Sequence, residues 1–143
     1  MNEDIARIVY GYAEAVDEGR FEALGTLFVD GSFRVFDKGG ALAAEATGRE
    51  AVAGFFDGAV IRYDGVSRVR HIATNLITDI DGNMATARCT FLVVQALDDF
   101  PLQPITAGRY HWQFARREEG WAVKSLEIRI EFTGDNSRHA RSA

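Results

Sequence analysis

His71 is the residue of this sequence that is best placed to move protons. It lies in the stretch RHIATNLITDIDGNMATARCTFLVV, residues 70–94. Apolar and β-branched residues fill both arms of this stretch, and Asp81-Gly82 favours a turn, so the pattern predicts two strands joined as a hairpin. An imidazole takes up and releases a proton close to neutral pH. The chemistry that this hairpin could support is therefore proton transfer.

The direction in which His71 points depends on the register of this hairpin. The second arm has one apolar face, formed by Ala85, Ala87, Cys89, Phe91 and Val93. A three-residue loop at residues 80–82, with Gly82 left-handed, pairs His71 with Phe91 and puts His71 and Asn75 on the buried face. A two-residue turn shifts the register by one and puts His71 on the polar face. We expect the longer loop, because glycine is preferred at its last position.

The remaining cysteine and histidines indicate little further chemistry. Cys89, the only cysteine, is interpreted as a small core residue, since nothing in the sequence indicates a lowered thiol pKa. It also excludes an internal disulfide. His111 and His139 are expected to be exposed, and three dispersed histidines without ligand spacing argue against a metal site.

Length, charge and composition narrow the class of protein. The 143 residues fit one domain, which we place at residues 1–132, with residues 133–143 as a flexible tail without apolar anchors. A net charge of −5 argues against nonspecific binding to nucleic acid or to an anionic membrane. Neither a basic leader nor an apolar run near the ~20 residues of a membrane span is present. We expect a cytoplasmic protein.

Three helices are predicted in the first half of the chain, at residues 2–17, 21–30 and 48–60. Asn2 can cap the first helix and Gly19 ends it. Thr47 and Glu50 have the spacing of a capping box for the third, which buries Phe55. Between the second and third helices we expect a strand at residues 32–36 and a Gly/Ala-rich loop at residues 38–46.

Two more long strands follow the hairpin. In residues 106–116 one side carries Gly108, Tyr110, Trp112 and Phe114, and residues 121–132 repeat the alternation. Helices that precede a meander of long strands predict an α+β domain, in which a curved antiparallel sheet packs against the helices as a cone. The mouth of such a cone is a natural small-molecule pocket.

The order and spacing of these segments resemble the SnoaL-like branch of the nuclear transport factor 2-like superfamily. The segments that carry the resemblance are YAEAVDEGRFEALGTLF, GREAVAGFF, the hairpin, AGRYHWQF and GWAVKSLEI. They cover nearly the whole chain and imply a cystatin-like α+β barrel. Members of this superfamily include scytalone dehydratase, ketosteroid isomerase, polyketide cyclases and the small subunits of ring-hydroxylating dioxygenases, so one fold hosts many unrelated sites.

The resemblance also implies candidate site residues. The helix-borne aspartate of scytalone dehydratase falls on Asp17 and its first strand-borne histidine on His71, whereas its second histidine falls near Cys89. The oxyanion-hole tyrosine of ketosteroid isomerase falls on Tyr12. The acidic position that many SnoaL-like sequences carry in the penultimate strand is Trp112 here.

We therefore predict that Asp17, His71 and Tyr12 are catalytic. The predicted pocket lining consists of Phe55, Asn75, Cys89, Phe91, Tyr110 and Trp112. A carboxylate bonded to one imidazole nitrogen fixes the tautomer, so the other nitrogen can take a proton next to a carbonyl. The alternative is structural: His71 is a buried histidine satisfied by a backbone carbonyl, and Asp17 caps the end of the first helix.

Three functions are compatible with these residues. The first is a cofactor-independent lyase or isomerase that acts on a small apolar or aromatic ring or carbonyl compound. The second is a module that binds such a ligand without chemistry, and the third is a non-catalytic subunit like the dioxygenase small chains. A polar sheet face formed by Arg109, His111, Gln113, Glu127 and Arg129 suits a homodimer interface.

Overall fold

The computed structural model describes residues 2–141 and contains three helices and six strands. In chain order these are α1 (Glu3–Glu18), α2 (Phe21–Thr26), β1 (Ser32–Phe36), β2 (Leu42–Thr47), α3 (Arg49–Ala59), β3 (Val69–Asp81), β4 (Met84–Leu97), β5 (Phe100–Arg117) and β6 (Gly120–Thr133). The predicted α+β class, with three helices ahead of the long strands, is confirmed. No helix in this part of the chain is long and apolar enough to cross a membrane.

The predicted capping residues are found at the ends of α1 but not at the start of α3. Asn2 caps α1 by accepting a hydrogen bond from the Ile5 amide at 3.0 Å, and Gly19 ends it at a φ of 72°. The predicted Thr47 capping box is wrong. Thr47 pairs with Ser32 as the last residue of β2, so Gly48 is the N-cap of α3 and no side chain caps this helix.

The six strands form one curved sheet in the order β2-β1-β6-β5-β4-β3. All pairs are antiparallel except β1–β6, which is parallel. The sheet does not close into a barrel, so β2 and β3 are its edges. The predicted loop at residues 38–46 is partly wrong, because β2 occupies its second half. Alanine and glycine are uncommon in strands, so the sequence pattern did not predict this edge strand.

The core lies between the helices and the inner face of the sheet. Its largest fully buried side chains are Trp112, Tyr12 and Tyr110. α1 lies against β3, and this contact between the first helix and an edge strand positions the site. The opposite surface of the sheet, here called the outer face, is not covered by a helix.

Residues up to 141 are attached to the domain, contrary to the expected absence of anchors. Residues 136–141, here called the C-terminal segment, add a bridge between Ala140 and Val60. The amide of Ile61 donates to the carbonyl of His139, and the hydroxyl of Tyr63 donates to the carbonyl of Arg138. Each of these anchors uses the backbone of the C-terminal segment, so they leave no apolar pattern in its sequence.

Candidate functional site

The hairpin of β3 and β4 turns one residue later than predicted. Gly82 and Asn83 form the turn between the paired residues Asp81 and Met84, and Gly82 is left-handed with a φ of 60°. Both predicted registers are therefore wrong. Glycine occupies the first position of the turn, whereas our expected loop placed it at the last.

A bulge at Asn75 gives His71 the expected direction by a different route. Asn75 has a φ of 59°, a left-handed conformation that asparagine tolerates better than most residues, and the register shifts there. Beyond the bulge His71 pairs with the buried Val93, whereas uninterrupted pairing would have set it opposite Val94 on the outer face. Asn75 itself is exposed, so its predicted place in a pocket lining is wrong.

Asp17 and His71 form a short, shielded contact. Asp17 Oδ1 lies 2.7 Å from His71 Nδ1, and both side chains are 10% exposed. The carboxylate also accepts the backbone N–H of His71, at 3.0 Å and 3.1 Å from its two oxygens. Asp17 therefore fixes the ring and the strand that carries it, and it does not cap its own helix. A carboxylate that meets Nδ1 favours the tautomer with the proton on that nitrogen.

The end of α1 is held against the loop that leads into β3. Ser67, which is fully buried, donates its hydroxyl to the carbonyl of Asp17 at 3.1 Å. A Cβ at Gly19 would lie 2.6 Å from the carbonyl oxygen of Gly65, and Gly19 is also left-handed. Only glycine allows this approach, which brings Asp17 next to His71.

A cleft of about 820 Å³ opens beside this pair. α1, the start of β3, the end of β4 and the start of β5 line it, with apolar surface from Tyr10, Val66, Ile72, Val94 and Leu102. Asp17 and His71 are part of the lining. Because Nδ1 of His71 meets Asp17 and Nε2 has no hydrogen bond to another described residue, Nε2 is the nitrogen available to a ligand. The cleft is therefore at the sheet edge, not in the interior of the cone.

The residues predicted to line a pocket fill the interior instead. Tyr12, Cys89, Phe91, Tyr110 and Trp112 are buried core residues, and the partly buried Phe55 packs against them. Tyr12 meets Tyr110 and Trp112 edge to face at ring distances of 5.7 Å and 5.5 Å, and Phe91 stacks on Tyr110 at 4.6 Å. None of these six lines the cleft, because aromatic side chains occupy the space that the cone was expected to leave.

Burial keeps the interior polar groups protonated. It raises the pKa of the Tyr12 hydroxyl far above its usual range, and the Asp17 carboxylate adds to this effect. Burial likewise raises the pKa of Tyr110 and brings that of the Cys89 thiol to about 11. Cys89 is thus a core residue, as interpreted from the sequence, and not a thiolate nucleophile.

His139 is the residue near the site that sequence reasoning missed. Predicted to be exposed, it is buried, and its ring centroid lies 5.8 Å from that of His71. Burial, and next the neighbouring His71, lower its pKa to about 4. The segment GDNSRHARSA gave no signal for this, since polar residues surround His139 in sequence. Among the described residues, no three His, Cys, Asp or Glu side chains are grouped closely enough to hold a metal ion.

Comparison with known proteins agrees with this architecture. A family model described as a SnoaL-like domain matches residues 2–127, and no curated protein matches significantly. An NTF2-like protein with a cystatin-like fold from Novosphingobium aromaticivorans has a TM-score of 0.74 and 25% identity, and the match covers 95% of this chain and 85% of that one.

Two further structures from the same organism share the fold. A provisionally named scytalone dehydratase has a TM-score of 0.71 at 24% identity, with 97% of this chain and 88% of that one covered. The β subunit of a provisionally named aromatic-ring-hydroxylating dioxygenase has a TM-score of 0.73 at 19% identity, with 91% and 88% covered. Since the family model spans most of the sequence and the architecture agrees with it, this chain belongs to the SnoaL-like family, within the NTF2-like group of cystatin-like α+β folds.

Proposed function

We propose that this chain is a cofactor-independent lyase or isomerase in which His71 moves a proton on a small, mostly apolar ring or carbonyl compound. The observation that carries the proposal is the 2.7 Å contact of Asp17 Oδ1 with His71 Nδ1 at the wall of the cleft. A single buried cysteine agrees with a reducing compartment, and we propose the cytoplasm as its location.

The mechanism assigns one role to each member of the pair. Asp17 accepts the Nδ1–H of His71, so the lone pair of the ring is on Nε2 and can take a proton from a carbon next to a carbonyl. The carboxylate then stabilises the imidazolium that forms. Returning the proton to a different carbon moves a double bond, and returning it to a departing hydroxyl eliminates water.

The hydrogen bonds of Asp17 to the backbone of His71 support this role. A carboxylate that holds both the main chain and the ring of one residue allows little movement between them, so the base is oriented before a ligand arrives. A structural role alone would need only the backbone bonds. The additional ring contact, together with a free Nε2, is the arrangement that general acid–base catalysis requires.

The cleft suits a ligand that is apolar with few polar groups. Val66, Ile72 and Leu102 provide apolar surface. The charged side chains beside them are of both signs: Glu14, Glu18, Arg68 and Arg70. Its volume of about 820 Å³ is in the range of small-molecule sites. Tyr12 does not enter the proposal, because it faces the core and not the cleft.

Proton abstraction can be tested without knowing the natural substrate. Cyclohexanone and 1-tetralone are incubated with the protein in deuterium oxide, and incorporation of deuterium next to the carbonyl is followed by mass spectrometry. We expect exchange above the buffer rate, and a loss of about 10²- to 10⁴-fold in His71→Ala.

The matched control is His111→Ala, which removes a histidine of the outer face. It should exchange like the wild type. Equal exchange by His71→Ala and the wild type, or no exchange above buffer with any ketone tested, would contradict the proposal.

A second candidate function is a subunit that assembles through its sheet, and one observation favours it. A row of apolar residues crosses four neighbouring strands on the outer face. Ile72 pairs with Leu92, Leu92 with Ala107, and Ala107 with Phe132. Phe132 is 70% exposed. Apolar side chains aligned on an uncovered sheet face favour burial against another protein, and a second copy of this chain, giving a homodimer, is the partner we propose.

Assembly is tested by sedimentation of the wild type and of Phe132→Glu. We expect a dimer that the substitution dissociates, whereas Leu42→Glu, an exposed apolar residue on the opposite edge strand, leaves it intact. A wild type that sediments as a monomer at all concentrations would contradict the homodimer.

A further inference from the structure

The acidic side chains that line the cleft all have a hydrogen-bond donor of this chain beside them. Glu14 and Glu18 both contact the guanidinium of Arg20, at 3.3 Å and 2.7 Å. Asp17 is engaged with the ring and the backbone of His71. A cationic ligand would therefore have to compete with these donors for every carboxylate of the cleft.

The two arginines of the lining have no carboxylate partner. Arg68 is exposed at the cleft, and its guanidinium makes no hydrogen bond or ion pair with another residue in the range 2–141. Arg70 donates from Nη1 to the carbonyl of Val69 at 2.8 Å, which leaves its charge uncompensated. The positive charge of the lining is thus free for a ligand, whereas the negative charge is already hydrogen-bonded.

Arg68 is fixed at the cleft by the contacts that also position His71. Ser67 and Val69, its two neighbours in the chain, are 0% and 1% exposed. The hydroxyl of Ser67 donates to the carbonyl of Asp17. The end of α1 therefore holds the backbone of Arg68 and the imidazole of His71 at the same time.

The backbone of Arg68 is left-handed, with a φ of 58°. Glycine adopts this conformation readily, whereas a residue with a Cβ adopts it at a cost in free energy. For stability alone glycine would suit the position better than arginine. Such conformations cluster at ligand sites, so we interpret the arginine here as a residue with a role for its side chain.

Arg68 and His71 are close enough for one small ligand to contact both. Three residues of extended chain span at most about 11 Å between Cα atoms, and both side chains line the same cleft. A six-membered ring with one substituent fits between a guanidinium and an imidazole at that separation.

We propose that Arg68 binds a carboxylate of the substrate, so that the cleft selects ring compounds that carry both a ketone and a carboxylate. This inference rests on the function proposed above and names the substrate class of that site. A guanidinium is planar, permanently charged and able to donate two parallel hydrogen bonds to a carboxylate. A doubly charged phosphate suits the cleft less well, because the nearby Asp17 carboxylate repels it more strongly.

Arg68 acts in this arrangement on specificity and not on the proton transfer. The carboxylate is the part of the substrate that does not react, and its contact with Arg68 orients the ring so that the carbon next to the ketone meets Nε2 of His71. Removing the guanidinium should therefore weaken binding of a keto acid and leave the reaction of a neutral ketone unchanged.

The experiment compares deuterium exchange into 4-oxocyclohexanecarboxylate and into cyclohexanone. The wild type should have the lower KM for the keto acid. Arg68→Met should raise that KM about tenfold, near the lower end for hydrogen bonds to a charged group because Arg68 is exposed, and should leave both constants for cyclohexanone unchanged. Arg68→Lys should recover part of the loss. The matched control Arg88→Met, which removes an exposed arginine of β4, should change neither substrate.

A second variant separates the side chain from the backbone. Arg68→Gly removes the guanidinium and suits the left-handed conformation, so it should be at least as stable to urea as the wild type. It should lose the preference for the keto acid to the same extent as Arg68→Met. A loss in Arg68→Met alone would assign the effect to the backbone and overturn the carboxylate site.

The kinetic results separate this proposal from the preceding one. Equal KM values of the wild type for the two ketones, or an equal loss of both substrates in Arg68→Met, overturn the carboxylate site and leave the role of His71 intact. Absence of exchange by the wild type with both substrates overturns the acid–base function.

A binding measurement tests the carboxylate site in that case too. Cyclohexanecarboxylate and cyclohexanemethanol are titrated into protein with nitrogen-15-labelled arginine, in which the Arg68 Nε–H signal is identified by its loss in Arg68→Met. We expect the carboxylate to shift this signal and the alcohol to leave it in place. A signal that neither compound shifts, or that both shift equally, overturns the site.

Discussion

The aromatic interior and the cleft at the edge of the sheet both contain side chains able to carry protons, but their surroundings differ. Tyr12 and Tyr110 are each 1% exposed and are packed among other rings. Asp17 and His71 are shielded too, yet they are hydrogen-bonded to each other and lie against open space. The residue types of an acid–base site occur in both places, and only the edge gives them a partner and access.

The physical reason is the cost of forming a charge in each place. In the interior, burial raises the tyrosine pKa values because no cation or donor compensates for lost hydration. At the edge, the Asp17 carboxylate faces the ring that would become charged. We infer that the interior stabilises the fold and that the edge carries the chemistry, and the predictions below test this division.

The largest expected effect is the loss of stability when an aromatic ring is removed from the interior. Trp112→Ala removes a side chain that is 1% exposed and should lower the free energy of unfolding by about 3–5 kcal/mol, because a cavity remains. Urea denaturation measures this. Ketone exchange per folded molecule should stay within about twofold of the wild type.

The matched control is Trp121→Ala, at a partly buried position where the ring meets Arg116. Trp121→Ala should lower the free energy of unfolding clearly less than Trp112→Ala does. If Trp112→Ala lost ketone exchange without losing stability, the interior would belong to the site. That result would contradict our inference that the interior only stabilises the fold.

The next effect concerns acid stability. The pKa of His139 falls from 6.5 to about 4 on folding, so between those pH values the unfolded chain binds a proton that the folded protein does not. Stability contributed by the neutral ring is present above about pH 6.5 and is lost as the pH falls to about 4. It amounts to at most about 3 kcal/mol.

Urea denaturation between pH 7 and pH 4 measures this dependence, and His139→Phe should show a smaller decrease than the wild type. Identical pH dependence of the two proteins would mean that His139 is not held in its buried, neutral form.

A smaller loss of stability is expected when the charge of Asp17 is removed from the Asp17–His71 pair. Asp17→Asn should cost about 2 kcal/mol, because a carboxylate that accepts two hydrogen bonds becomes an amide that can accept only one of them well. Asp79→Asn, which breaks an exposed contact with Arg88, should cost less than about 1 kcal/mol. Equal costs, measured by urea denaturation, would show that the Asp17–His71 contact has no special strength.

The fold was accessible from the sequence because its signals are local. Asn2 and Gly19 marked the ends of α1, and alternation of apolar residues marked the long strands. The inward direction of His71 was also predicted, but through the wrong turn. A bulge at Asn75 compensated for a turn at Gly82 and Asn83, and neither feature follows from the periodicity of the hairpin alone.

The location of the site was less accessible, because it depends on contacts between distant parts of the chain. Whether Tyr110 and Trp112 line a pocket or fill it depends on how many rings α1 and α3 add to the same space. The burial of His139 depends on backbone hydrogen bonds to Ala59 and Ile61, and hydrogen bonds of that kind have no side-chain signature. Sequence reasoning therefore identified the Asp17–His71 pair and misplaced the space around it.

The most direct test is the protonation of the two ring nitrogens of His71, measured by nitrogen-15 NMR at about pH 8, where a free histidine is neutral. We predict a proton on Nδ1 and an unprotonated Nε2 whose signal shifts when a cyclic ketone is added. A proton on Nε2, or an Nε2 signal that no ketone shifts, would contradict the proposal that His71 acts as a base in the cleft.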